Sequence, residues 1–222
     1  MSKNSSSIRT VLFDLDGTLA DTAPDLAYAL NLLRKQHDMD ALPLETIRPA
    51  ASHGSIALLK VGFQLDPGDE GFEALRKEYL ALYEANITTH TTLFPGMGEI
   101  LAEIEGRSMN WGVVTNKPGW LTEPLLEGLG VRQRAVCVIS GDSLPERKPH
   151  PAPLLYACNL AGSEAAECIY IGDAERDIVA GHRAGMTCLI AMFGYLSEQD
   201  QPDSWPADGR IHHPREILDW LV

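Results

Sequence analysis

The sequence predicts an α/β protein with a Rossmann-like parallel sheet core and an inserted all-helical domain. Three observations carry this expectation. Short apolar, β-branched runs alternate with helix-length segments through most of the chain. Residues 19–90 break that rhythm with amphipathic helical segments only. Two of the apolar runs end in aspartate clusters, which places polar chemistry at one edge of the sheet.

The strand-like runs are Thr10–Phe13, Trp111–Thr115, Ala135–Ser140, Cys168–Ile171 and Thr187–Met192. Their length and near-continuous hydrophobicity suit strands covered on both faces. Helical segments fall between them at Gly98–Glu105, Leu121–Leu129, Ala152–Leu160 and Ala174–Ala184. Strand–helix alternation implies right-handed βαβ units and a parallel sheet.

In the inserted block, "PDLAYALNLLRK" spaces Leu26, Leu30 and Leu33 along one helical face. "GFEALRKEYLALYEAN" does the same with Phe72, Leu75, Tyr79 and Leu82, and "SIALLKVGF" follows Gly54. The expected division is a core of residues 1–18 and 91–222 with a helical domain of residues 19–90 over the sheet's carboxyl edge. "THTTLFPGM" reads as the return linker, with Pro95 and Gly96 opening the next helix.

Composition narrows the partners. The 222 residues carry a formal net charge of −13, so nucleic acid and anionic membrane are excluded as partners. No apolar stretch approaches a membrane span, and "MSKNSSSIRT" lacks the apolar core of a signal peptide and reads as a short disordered tail. Cys137, Cys158, Cys168 and Cys188 show no metal-binding spacing and read as small core residues. A cytoplasmic protein is expected, as monomer or homodimer.

"VLFDLDGTLADT" sets Asp14 at the end of the first strand and Asp16 two residues later. Gly17 allows a tight turn and a close approach of backbone N–H to an anion. A plain Asp-Gly turn accounts for Asp16 and Gly17 but not for a carboxylate directly after the apolar run. In "CIYIGDAERD", Asp173 ends another strand and Asp177 follows four residues on. Alone, Asp173 could simply cap the next helix. Together, the clustered carboxylates at one sheet edge repel one another unless a cation intervenes. A hard divalent ion with oxygen ligands, Mg²⁺ above all, fits that need.

Two further features suit phosphate. "WGVVTNKPGW" places Thr115 and Asn116 at a strand end ahead of a helix, where they are either anion ligands or simple caps. "PERKPHPAP" carries Lys148 in a proline-stiffened loop after a strand, whereas Lys117 and Arg147 read as solvated surface. Nucleotide fingerprints are missing: there is no GxxxxGK[ST], and "GMGEIL" has Leu101 where a dinucleotide motif needs glycine. The "DLDGT" loop is not a calcium loop, since its glycine comes too early.

"DLDGT", Thr115, Lys148 and "GDAERD", in that order, resemble the haloacid dehalogenase superfamily of phosphatases over nearly the whole chain. "FPGM", "VVTNKP", "KPHPAPLL" and "FGY" resemble its phosphoglycolate phosphatase group, including bacterial N-acetylmuramic acid 6-phosphate phosphatases. The resemblance implies that Asp14 is the nucleophile and that Asp16 is the general acid and base, its pKa raised by crowding. It implies Mg²⁺ held by Asp14, the Asp16 backbone carbonyl and Asp173, with Asp177 as a ligand or one contact removed. Thr115 and Lys148, with backbone N–H groups near Gly17 and Asn116, would hold the phosphoryl oxygens. The helical insert would be a cap that gates the site, with hinges near Leu19–Thr22 and Thr88–Phe94. The loop "RPAASHGSIALL" would set specificity, with Ser52, His53 and Gly54 at its centre and Arg48 as a candidate for a substrate carboxylate. Taken alone, His53 reads first as a solvent-exposed loop residue and second as a contact for a substrate carboxylate or hydroxyl, and His182, His212 and His213 read as surface groups.

The implied activity is hydrolysis of a small phosphorylated metabolite, 2-phosphoglycolate or N-acetylmuramate 6-phosphate. Asp16 argues against carbon–halogen cleavage, which has no leaving alcohol to protonate. A sugar phosphomutase shares the same motifs. A receiver-like phospho-acceptor module is the alternative from another class, but it lacks both the acid at Asp16 and the helical insert.

Overall fold

The computed structural model describes residues 7–221, and the expected N-terminal tail lies mostly outside them. In chain order, β1 (Thr10–Phe13) and the two-residue β2 (Ala20–Asp21) lead into α1 (Ala23–Gln36) and α2 (Leu44–Ile47). A 3-10 turn (Arg48–His53), α3 (Gly54–Phe63) and α4 (Phe72–Glu84) complete the helical block. Then come β3 (Thr92–Leu93), α5 (Met97–Gly106), β4 (Asn110–Val114), α6 (Gly119–Gly128), β5 (Val138–Ile139) and α7 (Ala152–Ala161). The chain continues through β6 (Cys168–Gly172), α8 (Glu175–Ala184), β7 (Thr187–Ala191) and β8 (Gly209–Ile211).

Six strands form one parallel sheet in the order β5-β4-β1-β6-β7-β8. β1 sits centrally, with Phe13 level with Val113 of β4 and Ile171 of β6. Chain order reverses around β1, the place where open α/β sheets form their ligand crevice. Alternation along β1 divides the core. Val11 and Phe13 join a cluster with α5 and α6 residues such as Ile100, Leu101 and Leu125. Leu12 faces the other side, with Leu154 of α7 and Ile178 of α8. Complete burial of each such side chain is worth about 1.5–3 kcal/mol.

β8 has no counterpart among the strands expected from sequence, and its three residues are too few for a period-two pattern to declare itself. β5 is shorter than the expected Ala135–Ser140. All four cysteines are buried and unbridged. No helix among the described residues is long and apolar enough to cross a membrane.

α1, α3 and α4 pack on one another. Leu26, Leu30 and Leu33 meet Leu58, Leu59, Phe72, Leu75 and Tyr79 in a core continuous with that of the sheet. On α4, Tyr83 rather than the expected Leu82 completes the buried face. The two chain segments joining this block to the sheet pair with each other, since β2 and β3 form an antiparallel ribbon. The buried Asp25 carboxylate reinforces the junction by accepting from the backbone N–H groups of His90 and Thr91 at 2.8–3.0 Å.

Candidate active site

The register of the central strands determines what meets at the carboxyl edge. Asp14, Thr115 and Asp173 follow β1, β4 and β6, three neighbours in the sheet. Asp14 and Asp173 are each 3 % exposed and Asp177 is fully buried. Carboxylate oxygens of these three aspartates lie within 4.8 Å of one another. The helix α8 starts at Glu175 with Ala174 as its N-cap, so Asp173 is not the cap residue. Asp177 instead turns back to accept from the Ala174 N–H at 3.1 Å.

Such crowding has the expected electrostatic consequence. Burial, and then the Asp177 charge, push Asp14 up to about 6 against the opposing pull of Lys148. Burial and the charges of Asp14 and Asp177 push Asp173 up to about 7. Burial also acts on Asp177, but Lys148 and Arg176 outweigh it and hold that group low. The crowding is thus marked at Asp14, Asp173 and Asp177.

Lys148 is completely buried. Its Nζ lies 2.9 Å from Asp14 Oδ1 and 2.7 Å from Asp177 Oδ1, and donates to Val114 O and the Tyr170 hydroxyl at 2.8 Å. Asn116 holds this lysine in place: its side chain accepts from Lys148 N at 3.1 Å and donates to Lys148 O at 3.0 Å. The amide expected to bind an anion therefore serves the lysine backbone. Thr115, 4 % exposed, lies beside them and accepts from Lys117 N at 3.2 Å.

One buried oxygen, Asp173 Oδ1, has no hydrogen-bond partner, whereas Asp173 Oδ2 accepts from Tyr195 N at 2.9 Å and from the Ser52 hydroxyl at 2.7 Å. An orphaned carboxylate oxygen inside a cluster of three buried aspartates fits a hard divalent cation. Gly17 and Gly194 leave room for that carboxylate. At either position a Cβ would overlap Asp173, and the φ of Gly17 is +84°. The Gly17 N–H, expected near an anion, donates to Ala20 O at 3.1 Å and closes the turn.

Asp16 has different company. It lines a cavity of about 490 Å³ between the sheet edge and the helical block. Its Oδ1 accepts from Thr22 Oγ1 at 2.6 Å and from Lys117 Nζ at 2.9 Å. Lys117 also lies 4.6 Å from the centre of the Tyr83 ring, and its side chain is 7 % exposed. The solvated-surface reading of Lys117 is overturned, because α4 covers a side chain that the sheet alone would leave open. Arg147 does remain exposed.

The expected specificity loop reaches the cavity through Ser52, His53 and Gly54. Arg48 does not line it. Arg48 donates to Asp21 Oδ2 at 2.8 Å and stacks over Tyr195, whose hydroxyl donates to Asp21 Oδ1 at 2.8 Å. It joins the 3-10 turn to the β2 junction. Sequence reasoning passed over Arg176, which lines the cavity and donates to Ser52 O at 2.7 Å. His53 is exposed at the cavity mouth, as expected of a loop residue, yet desolvation by its surroundings, and then the Arg176 charge, hold it below the ordinary imidazole value.

Residues 11–191 match the family of haloacid dehalogenase-like hydrolases. The chain belongs to that family. A phosphoglycolate phosphatase from Xanthomonas campestris pv. campestris (strain 8004) is 44 % identical over 210 residues, covering 94 % of each chain. An N-acetylmuramic acid 6-phosphate phosphatase from Pseudomonas putida KT2440 is 40 % identical over 210 residues, covering 95 % of this chain and 94 % of that one. A crystal structure described as a predicted phosphoglycolate phosphatase from Haemophilus somnus 129pt superposes with a TM-score of 0.85 at 26 % identity, over 98 % of this chain and 99 % of the other. The haloacid dehalogenase-like fold thus accounts for the central sheet, the helical block and the aspartate-bearing edge together.

Proposed function

We propose that this hydrolase is a Mg²⁺-dependent phosphomonoesterase that acts through an aspartyl-phosphate on a small phosphorylated metabolite. One observation carries the reading: Asp14 and Asp16, two residues apart, face different surroundings. Asp14 belongs to the buried carboxylate cluster beside Lys148, and Asp16 faces the cavity beside Lys117. Two carboxylates so divided suit a nucleophile and a proton carrier.

Asp14, Asp173 and Asp177 would hold the metal, with the Asp16 backbone carbonyl. Bound there, Mg²⁺ neutralises carboxylates and phosphoryl oxygens that would otherwise repel. A carboxylate oxygen of Asp14 attacks phosphorus as the ester P–O bond breaks, and Asp16 gives its proton to the departing alcohol oxygen. Asp16 then takes a proton from water, whose oxygen attacks the phosphorus, releasing phosphate and regenerating Asp14. Thr115 and Lys148 stabilise the charge on the phosphoryl group. Residues on either side of 19–90 form the catalytic core in this reading, and 19–90 form the cap.

The cavity leaves room for a hexose-sized body, since pockets of about 300–1,000 Å³ take ligands of that order. This favours N-acetylmuramate 6-phosphate over the two-carbon 2-phosphoglycolate, and kcat/KM measured for both decides between them. Hydrolysis of p-nitrophenyl phosphate that requires Mg²⁺ and vanishes in Asp14→Asn supports the phosphatase reading. Wild-type protein without turnover on any phosphate ester refutes it.

A further inference from the structure

Cations around the cavity differ in whether a carboxylate already engages them. Lys148 lies between Asp14 and Asp177, Lys117 pairs with Asp16, and Arg76 contacts Ser55 and Glu73. Arg147 stands exposed at the rim. Arg147 and Arg176 have no carboxylate within ion-pair distance among the described residues, and of the two only Arg176 is half-buried. In the cavity wall, Arg176 makes one hydrogen bond among the described residues, to the backbone carbonyl of Ser52, and no ion pair within 4.0 Å.

The guanidinium fork carries five N–H donors, so most of its donors are uncommitted. The charges of Asp177, Asp14 and Asp173 act on it only through space. With a divalent cation in their midst, those three carboxylates are matched by the cation and Lys148. The Arg176 charge is then in surplus and available to a ligand.

Position decides which anion it serves. The reacting phosphoryl group must meet Asp14 at the sheet edge, where Lys148 and Thr115 converge. Arg176 reaches Ser52 of the cap loop, whose hydroxyl in turn meets Asp173, so it stands on the cap side of the cluster, where the part of an ester beyond its phosphoryl group would lie. A planar fork at that place matches the two oxygens of a carboxylate.

We propose that Arg176 determines specificity by binding a carboxylate carried by the non-reacting part of the phosphate ester. This rests on the phosphatase reading and adds to it the residue that recognises the carboxylate carried by both candidate substrates.

Two matched pairs of ligands test it. One pair is 3-phosphonopropionate and propylphosphonate, non-hydrolysable and differing in a carboxylate, with affinity measured by calorimetry in the presence of Mg²⁺. The other is N-acetylmuramate 6-phosphate and N-acetylglucosamine 6-phosphate, compared by kcat/KM. Wild-type protein is expected to prefer the acid in at least one pair by about 10- to 100-fold, the range of a charge-assisted contact. Arg176→Ala is expected to bring that ratio near one, and Arg176→Lys, which keeps charge but not the fork, to lower it severalfold. Circular dichroism checks folding, and Arg176→Lys carries the test if Arg176→Ala does not fold.

Any of three outcomes overturns the proposal: no acid preference in either pair, a preference that survives both substitutions, or equal weakening of both members of a pair. Equal weakening would mean that Arg176 serves the phosphoryl group or the Ser52 contact alone. Failure of the phosphatase reading itself would appear differently, as wild-type protein that hydrolyses neither sugar phosphate.

Discussion

Lys117 Nζ donates to Asp16 Oδ1 at 2.9 Å across 101 residues of sequence, and Tyr83 of the helical block covers the lysine. Asp16, the proposed proton carrier, is thus held by a residue from a different strand end, and that residue is shielded by the helical block.

Lys117→Met keeps the aliphatic stem against Tyr83 and removes the ammonium. We expect kcat on p-nitrophenyl phosphate to fall by about 10- to 100-fold, part of what general acid–base catalysis supplies. In an Asp16→Asn background the same substitution should cost far less, because the group it orients is gone. Equal losses in both backgrounds would show that Lys117 acts elsewhere.

The raised groups predict a dependence of stability on pH. Asp14, up to about 6, and Asp173, up to about 7, keep protons in the folded state that the unfolded chain has already released. Their contribution is full below about pH 4 and is lost as pH rises through 6 to 7. Asp177, held low, runs the other way and loses its contribution only in stronger acid. Metal-free protein should therefore show a Tm that declines between pH 4 and 7, with a shallower decline in Asp173→Asn. Mg²⁺ competes with those protons, so its midpoint concentration should be at least about tenfold higher at pH 5.5 than at pH 8. Equal midpoints would refute the cluster as the metal site.

Gly17 combines a positive φ with a carboxylate against the place where a Cβ would stand. Gly17→Ala should destabilise the protein by about 2–4 kcal/mol in chemical denaturation, from backbone strain and displacement of Asp173. It should also weaken Mg²⁺ binding. A stability within about 0.5 kcal/mol of wild type would contradict the tight approach.

Arg48, engaged by Asp21 and Tyr195, should not govern the choice of substrate. Its side chain is 32 % exposed and that of Asp21 is 23 % exposed, so the pair is worth about 1 kcal/mol or less. Arg48→Ala should lower Tm by a few degrees and leave the ratio of kcat/KM between acidic and neutral sugar phosphates unchanged. A collapse of that ratio would return Arg48 to the role its sequence position suggested.

Local sequence carried much of this protein. Strand runs ending in Asp14 and Asp173 were legible because a parallel sheet buries both faces of its strands and opens only at its carboxyl edge. Leu26, Leu30 and Leu33 announced their helix by spacing alone. The β2–β3 ribbon and β8 were not legible, since two or three residues hold too little pattern to separate from a loop.

Residue types and their order along the chain determined the α/β core, the helical insert and the aspartates that gather at one edge. Tertiary structure alone decided the partners: that Lys117 meets Asp16, that Asn116 serves the Lys148 backbone, and that Arg48 meets a carboxylate while Arg176 meets only a backbone carbonyl. The physical reason is that periodicity and capping act over a few neighbouring residues. The company a charged side chain keeps is set by which distant strand ends and cap surfaces the fold brings against it, and only their packing says which charges remain available to a ligand.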